Sequence, residues 1–182
     1  MFHVTMADYT REDARHFICT AEVEPIDGKD IHYAIADDNG DYLGTISLKS
    51  VDLVSSNAEY AINLRKCAQG KGIAAWATKE ILRIAFEEFG FHRVYLNVLS
   101  DNQKAIRLYE KCGFVYEGTF RNHLLLRGEY KSLRWYSMLK EEYIPDNFGG
   151  GNEKQHIINI VCSFSNTWAC YFTSFHVREV AK

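Results

Sequence analysis

The stretch AEYAINLRKCAQGKGIAAWA, residues 58–77, decides how this chain folds. In its first part apolar and polar residues alternate, so that Ala58, Tyr60, Ile62 and Leu64 share one side of a strand and Glu59, Ala61, Asn63 and Arg65 share the other. In its second part a glycine turn leads into an apolar run. Ala74, Ala77, Ile81, Ala85 and Phe89 recur there at helical spacing, and Gly90 stands where a helix-ending glycine belongs. The stretch therefore predicts a strand, a glycine turn and a helix.

This order of elements suits an anionic ligand such as a phosphate. The free amides of a helix's first turn point at the anion, and the helix dipole favours negative charge there. Gly70 and Gly72 allow the backbone to approach closely, and Lys71 adds a positive charge. The loop matches neither the Walker A pattern nor the Rossmann pattern, so by itself it predicts either a phosphate site or a simple turn.

The segments on both sides of this stretch predict a single sheet with helices. Upstream, two strand-like runs flank Asn39-Gly40, a strong hairpin signal, and a short helix is predicted from the cap Thr10. Downstream, HRVYLNVL predicts a buried strand, and SDNQKAIRLYEKCG predicts a helix capped by Ser100 or Asp101. FVYEGTFRNHLLL and YKSLRWYSML predict two strands joined through Arg127-Gly128-Glu129. The fold class is α+β, or mixed α/β, around one sheet.

Composition and charge narrow the functional classes. The 182 residues are 47% apolar and 25% charged, which fits a soluble globular domain. A net charge of −3 without a basic stripe argues against nucleic acid and anionic membranes as partners. Five cysteines without a CxxC pair indicate reduced thiols in a cytoplasm, with neither a disulfide framework nor a metal site. The uncharged run 157–175 has too many polar residues for a membrane span, and a buried hairpin is the better interpretation.

Two units are predicted along the chain. Residues 1–143 form the main domain, and residues 144–182 form a connector with three successive glycines, Gly149–Gly151, followed by two strand-like segments. An edge strand left uncovered invites aggregation, so a tail strand could complete the sheet in the same chain or in a partner's. That hypothesis allows a homo-oligomer through the tail.

Three phrases in register resemble one enzyme family. QGKGIA, then N-x-x-A-I-x-L-Y-x-K-x-G-F, then EGTFRNHLLLRGEY resemble the GNAT superfamily of acetyl-CoA-dependent N-acetyltransferases, and in particular its RimJ/RimL and spermidine acetyltransferase group. The resemblance covers residues 31–143, with a weaker match at 9–18. It implies a central, mostly antiparallel sheet whose strands splay apart, flanked by helices. The family usually begins with a further strand and helix, which we expect to be lacking here.

The resemblance also implies where acetyl-CoA would bind. The pyrophosphate would be held by the amides of the glycine turn and the helix start, and the pantetheine arm would pair with the splayed strand. Asn102 matches the asparagine that hydrogen-bonds the pantetheine, although an asparagine there also caps a helix. The implied turn residues are Gln69, Gly70, Lys71, Gly72, Ile73, Ala74 and Ala75, and the implied strand residues are Ile62, Asn63 and Leu64.

Catalysis would need an acid and a base. Tyr109 matches the family's general acid, which protonates the leaving thiolate, while its place on an apolar helix stripe also fits a core aromatic. Glu59 shares a strand face with Asn63 and could accept the amine proton directly or through water, or be a solvated carboxylate. His123 is a further candidate base, although a surface or packing role suits it better.

The acceptor is expected to be a primary amine, such as a peptide N-terminus or an amino sugar. The spermidine enzymes are expected to carry two glutamates where this chain has Ser47 and Ser50, with Lys49 between them. A lysine repels a polycation, so a polyamine acceptor is the alternative rather than the first expectation. A catalytically silent acyl-CoA-binding or regulatory module on the same fold is another alternative.

Overall fold

The computed structural model describes residues 24–37 and 40–145, which build one six-stranded sheet with helices against it. The strands are β1 (Ile31–Ala36), β2 (Tyr42–Asp52), β3 (Asn57–Leu64), β4 (Arg93–Leu99), β5 (Val115–Leu126) and β6 (Glu129–Leu139). The helices are α1 (Ile73–Arg83) and α2 (Gln103–Lys111), with short 3-10 turns at Lys66–Ala68 and Lys140–Glu142. The predicted helix after Thr10 and the predicted tail strands lie outside the described residues.

The sheet is mixed and mostly antiparallel, as expected. Its strand order is β1-β2-β3-β4-β6-β5, and only the β3–β4 pair is parallel. Two hairpins build its wings. Gly40 donates its amide to Asp37 O at 2.9 Å in the β1–β2 hairpin, and Arg127 and Gly128 both have positive φ in the two-residue β5–β6 turn. Positive φ at both central residues is typical of a type I′ turn, whose twist matches that of the strands.

The sheet splits between its two parallel strands. β3 pairs with β4 at only three positions, which end with Glu59 opposite Tyr95. Beyond that pair β3 continues along β2 to Leu64, while β4 continues along β6 to Leu99. This confirms the splayed sheet and leaves one edge of β3 without a strand neighbour.

One face of the sheet carries the helices and the core. Val94, Leu96 and Val98 of β4 are buried there, whereas the alternate residues of β4 are half-buried. The predicted strand HRVYLNVL is therefore confirmed, but it is fully buried on one face only. Tyr95, Asn97 and Leu99 point to the opposite face of the sheet, because successive side chains of a strand alternate between its two faces.

Both helices differ from prediction at one end. The α-helical pattern of α1 ends at Arg83 and continues as a π-helical turn over Ile84–Glu88, before Gly90 ends it with φ 71°. The N-cap of α2 is Asn102, whose side chain accepts from the Ala105 amide at 3.2 Å, rather than Ser100 or Asp101. Gly113, with φ 90°, follows the C-cap of α2 as predicted.

Candidate active site

The open edge of β3 presents main-chain groups to the split. The Arg65 amide donates to Leu43 O at 2.8 Å, which turns the main-chain groups of Arg65 towards β2. Main-chain groups of successive strand residues point to opposite sides, so those of Ile62 and Leu64 point into the split and those of Asn63 towards β2. The Leu64 carbonyl already accepts from Gln69 Nε2 at 3.2 Å. Ile62 thus offers both an N–H and a carbonyl at the split.

The glycine turn carries the chain from β3 to α1. Both turn glycines have left-handed backbone, Gly70 with φ 77° and Gly72 with φ 81°, a conformation that costs other residues about 1–2 kcal/mol. Gln69 is part of the turn's own scaffold, because its amide donates to Lys66 O at 3.3 Å and its side chain to Leu64 O. Lys71 is exposed at the end of the turn.

The first turn of α1 has amides without a side-chain cap. Its N-cap, Gly72, has no side chain to bond the amides that follow, and the first turn contains no acidic residue. Within the described residues, the helical ladder starts at the Trp76 amide, which donates to Gly72 O at 3.1 Å. The amides of Ile73, Ala74 and Ala75 precede it at the positive end of the helix dipole. These are the groups that could hold a pyrophosphate.

Tyr109 lies on α2, on the side that faces Tyr60 at the start of the split. Its side chain is 8% exposed, and its ring meets the rings of Tyr60 at 5.8 Å and Phe114 at 6.0 Å, both edge to face. Among the described residues none forms a hydrogen bond with its hydroxyl. Burial raises the pKa of Tyr109 to about 12, with a smaller contribution from Cys112. Such a phenol stays protonated at neutral pH and can act as an acid.

Asn102 lies at the N-cap of α2, and Glu59 lies at the last β3–β4 pair. Asn102 caps α2 through its side-chain oxygen, which leaves the amide hydrogens of the same side chain for a ligand. Glu59 accepts from Asn97 Nδ2 at 2.7 Å and lies at the last β3–β4 pair, on the face opposite Tyr60. An acid candidate and a base candidate therefore lie on opposite faces of the sheet, beside the same split.

Other predicted positions have different places. His123 is exposed on β5, where its ring meets that of Phe120 at 5.4 Å. Lys49 pairs directly with Glu59 across β2 and β3, and Ser47 pairs with Ala61 on the same face. Ser50 lies in an irregular stretch at the end of that pairing, with φ 49°.

Sequence reasoning missed Thr78 and the polar role of Tyr60. The two hydroxyls are 2.7 Å apart in the core, and Thr78 also donates to Ala74 O at 2.6 Å. A polar residue in the middle of the apolar stripe of α1 was the signal that could have identified the pair.

The described residues contain neither a membrane-spanning helix nor a cluster of metal ligands. None of the helices there is long and apolar enough to cross a membrane. The same residues contain no group of three or more histidine, cysteine, aspartate or glutamate side chains placed to hold a metal ion.

The known proteins similar to this chain are acetyltransferases. Residues 1–115 match the model of the acetyltransferase (GNAT) domain. The chain is 30% identical over 129 residues to the spermidine N(1)-acetyltransferase of Vibrio cholerae, a match that covers 68% of this chain and 75% of that protein. It is 35% identical over 105 residues to the putative ribosomal N-acetyltransferase YdaF of Bacillus subtilis, covering 58% of this chain and 57% of that protein.

Solved structures give the same result. A mutant form of the spermidine N-acetyltransferase SpeG from Vibrio cholerae superimposes with a TM-score of 0.63 at 29% identity, covering 65% of this chain and 70% of that one.

Proposed function

Because the chain belongs to the GNAT family of N-acetyltransferases, we propose that it transfers the acetyl group of acetyl-CoA to a primary amine by direct attack in a ternary complex. The observation that carries the proposal is the split after Glu59, which opens beside the glycine-capped start of α1. An extended pantetheine arm needs main-chain partners along its length, and a pyrophosphate needs free amides at its end. The split offers the first through Ile62, and α1 offers the second.

The residues divide the chemistry between them. Acetyl-CoA supplies the acyl group as a thioester. Attack by the amine places negative charge on the thioester oxygen, and a preorganised N–H such as that of Ile62 stabilises such charge. Tyr109, which is protonated at neutral pH, donates a proton to the departing sulfur. Glu59, held by Asn97, removes a proton from the amine directly or through water on the other face.

A thiol-release assay with acetyl-CoA and a panel of amines tests this function. We expect release of CoA that depends on an amine, together with binding of CoA in calorimetry. Binding without turnover across a broad panel would instead identify the silent acyl-CoA-binding module. Retention of Tyr109 and Asn102 beside the split supports the enzyme over that module.

For the acceptor, we infer a primary amine with at most one positive charge, such as a peptide N-terminus or an amino sugar. Lys49 lies directly opposite Glu59, and directly paired side chains have their Cβ atoms roughly 5 Å apart. Burial lowers the pKa of His32 on this face, while the charge of Asp30 raises it. The charge of Lys49 lowers it further, so Lys49 acts electrostatically on this face. A polyamine would bring further positive charge towards Lys49.

The neighbouring surface is aromatic and charge-neutralised. A cleft of about 260 Å³ on the same face is lined by Phe120 and Trp135, and its Arg93 and Glu117 form an ion pair at 2.6 Å. Glu117 accepts a further hydrogen bond from Ser137 at 2.7 Å. Because Glu117 already pairs with Arg93 and Ser137, it would bind a second ammonium group of a polyamine only weakly. The spermidine acetyltransferases among its relatives support the polyamine alternative, so the two need a direct comparison.

That comparison is the kcat/KM for spermidine against those for short peptides and amino sugars. We expect spermidine to be the poorer acceptor, and Lys49→Glu to raise its kcat/KM by roughly tenfold or less, the scale of one partly exposed ion pair. Lys140→Glu makes the same charge change on an exposed residue just after β6 and serves as the control. A wild-type preference for spermidine would establish the polyamine alternative.

A further inference from the structure

Two buried hydroxyls connect the split sheet to α1, the helix proposed to bind the pyrophosphate. Tyr60 is the first residue of β3 beyond its last pair with β4, and Thr78 lies one turn into α1. Their hydroxyls are 2.7 Å apart, and Tyr60 is 2% exposed and Thr78 fully buried. Neither residue belongs to the acid, the base or the predicted acetyl-CoA contacts.

The donor and acceptor in these hydrogen bonds follow from the number of hydroxyl hydrogens available. A threonine hydroxyl has one hydrogen, and that of Thr78 goes to the Ala74 carbonyl at 2.6 Å. Tyr60 must therefore donate to Thr78, which donates to Ala74. Ala74 lies in the first turn of α1, whose amides are the candidate pyrophosphate ligands. The two hydrogen bonds therefore end at the turn whose position matters for that ligand.

The ring of Tyr60 makes a second connection. Its edge-to-face contact with Tyr109 places it against the candidate acid, at a centroid distance of 5.8 Å. The hydroxyl of Tyr60 thus reaches α1, while its ring supports α2. Tyr60, at the start of the split, therefore contacts both α1 and Tyr109.

We propose that Tyr60 is a positioning residue, which sets the first turn of α1 through its hydroxyl and Thr78 and sets Tyr109 through its ring. The inference rests on the proposed function, because it assigns the two contacts to acetyl-CoA binding and to proton transfer respectively. Its distinguishing consequence is that the two contacts affect different kinetic constants. Loss of the hydroxyl affects the KM for acetyl-CoA, whereas loss of the ring affects kcat.

Four variants test these consequences. Tyr60→Phe keeps the ring and should raise the KM for acetyl-CoA roughly 2- to 10-fold, the worth of one hydrogen bond, with kcat and the amine KM unchanged. Thr78→Val should raise the same KM by at least as much, and Thr78→Ser, which restores the hydroxyl, should return it to the wild-type value. Tyr60→Leu should lower kcat in addition. Calorimetric titration with CoA provides an activity-independent measure of the first effect.

The control is Tyr136→Phe, which removes another buried tyrosine hydroxyl that bonds a helix, in this case Glu110 of α2 at 3.1 Å. It should leave the KM for acetyl-CoA unchanged. Stability adds a further check, because Thr78→Val strands the buried Tyr60 hydroxyl without an acceptor. The double variant Tyr60→Phe/Thr78→Val should therefore melt at a higher temperature than Thr78→Val alone.

The failures are distinguishable. A wild-type chain that neither binds CoA nor releases it from acetyl-CoA overturns the proposed function, and this inference with it. A wild-type chain that turns over, while Tyr60→Phe and Thr78→Val keep its KM for acetyl-CoA, overturns the inference alone. Equal losses in Thr78→Ser and Thr78→Val would also overturn it, because shape rather than the hydroxyl would then be responsible.

Discussion

Tyr109 carries the acid role at the scale of a single residue. Its Phe variant keeps the ring that packs on Tyr60 and Phe114 and removes only the hydroxyl. We expect kcat to fall roughly 10²- to 10⁴-fold, the usual contribution of a positioned acid. CoA binding, measured by calorimetry, should remain. Tyr116→Phe, which removes an exposed hydroxyl bonded to Thr119, is the control, and wild-type turnover in Tyr109→Phe would make Tyr109 a core residue only.

Gly72 tests the anion site at the same scale. A glutamate there places a carboxylate at the N-cap of α1, among the amides proposed for the pyrophosphate, so Gly72→Glu should abolish stabilisation by acetyl-CoA. Backbone strain alone is controlled by Gly128→Glu, since Gly128 has a φ of 83° against 81° for Gly72 and open space around it. The measurement is the shift in melting temperature with acetyl-CoA. An equal shift in both variants would remove the phosphate assignment from this turn.

At the scale of elements, the split depends on how closely β2 holds β3. A Cβ on Gly44 would lie 2.3 Å from the carbonyl oxygen of Asn63, which is main chain and cannot move without shifting β3. Gly44→Ala should therefore lower the free energy of unfolding by about 1–3 kcal/mol, the usual range for overpacking. It should also weaken CoA binding, because Asn63 neighbours Ile62 at the split.

The matched control on another strand is Gly118→Ala. A Cβ at Gly118 meets nothing within 4 Å, so this variant should unfold at the wild-type urea concentration. If Gly44→Ala is as stable as Gly118→Ala, then β2 and β3 tolerate a wider spacing than the structure shows.

At the scale of the whole molecule, buried tyrosines make the fold sensitive to alkali. Burial raises the pKa of Tyr60 well above its usual value and that of Tyr109 to about 12, against roughly 10 in an unfolded chain. A raised pKa means that the folded state binds the proton more tightly, so this stability is complete below about pH 10 and is lost as pH rises towards 12. Tyr109 alone should account for about 1–3 kcal/mol of that loss.

Urea unfolding at pH 8, 10 and 11 measures the effect. Tyr109→Phe has no proton to lose at that position and should lose less stability than wild type over this interval. Tyr130→Phe removes an exposed tyrosine hydroxyl and should follow the wild-type curve. Identical curves for all three proteins would show that the Tyr109 hydroxyl is in contact with water in the folded state.

Local sequence patterns correctly predicted most elements of the described residues. Alternation over residues 58–65, glycines at 70 and 72 and apolar spacing after them specify strand, turn and helix locally, since each depends on neighbours in the chain. Positive φ at Gly70 and Gly72 and the two hairpins follow from the same local rules, whereas the cap of α2 is Asn102 in place of the predicted Ser100 or Asp101. The family resemblance named Tyr109 as the candidate acid, and the alternation of the strand named Glu59 as a candidate base on the face of Asn63.

Only the tertiary structure decided how these parts meet. Contacts between elements set the point after Glu59 at which β3 leaves β4, and they place Glu59 and Tyr109 on opposite faces. The register of β2 on β3 sets the pairing of Lys49 with Glu59. The hydroxyl chain from Tyr60 through Thr78 joins a strand to a helix across a turn. Periodicity reports which residues share a face of one element, but strand register and the packing of helices on a sheet are set by the summed burial of all elements together.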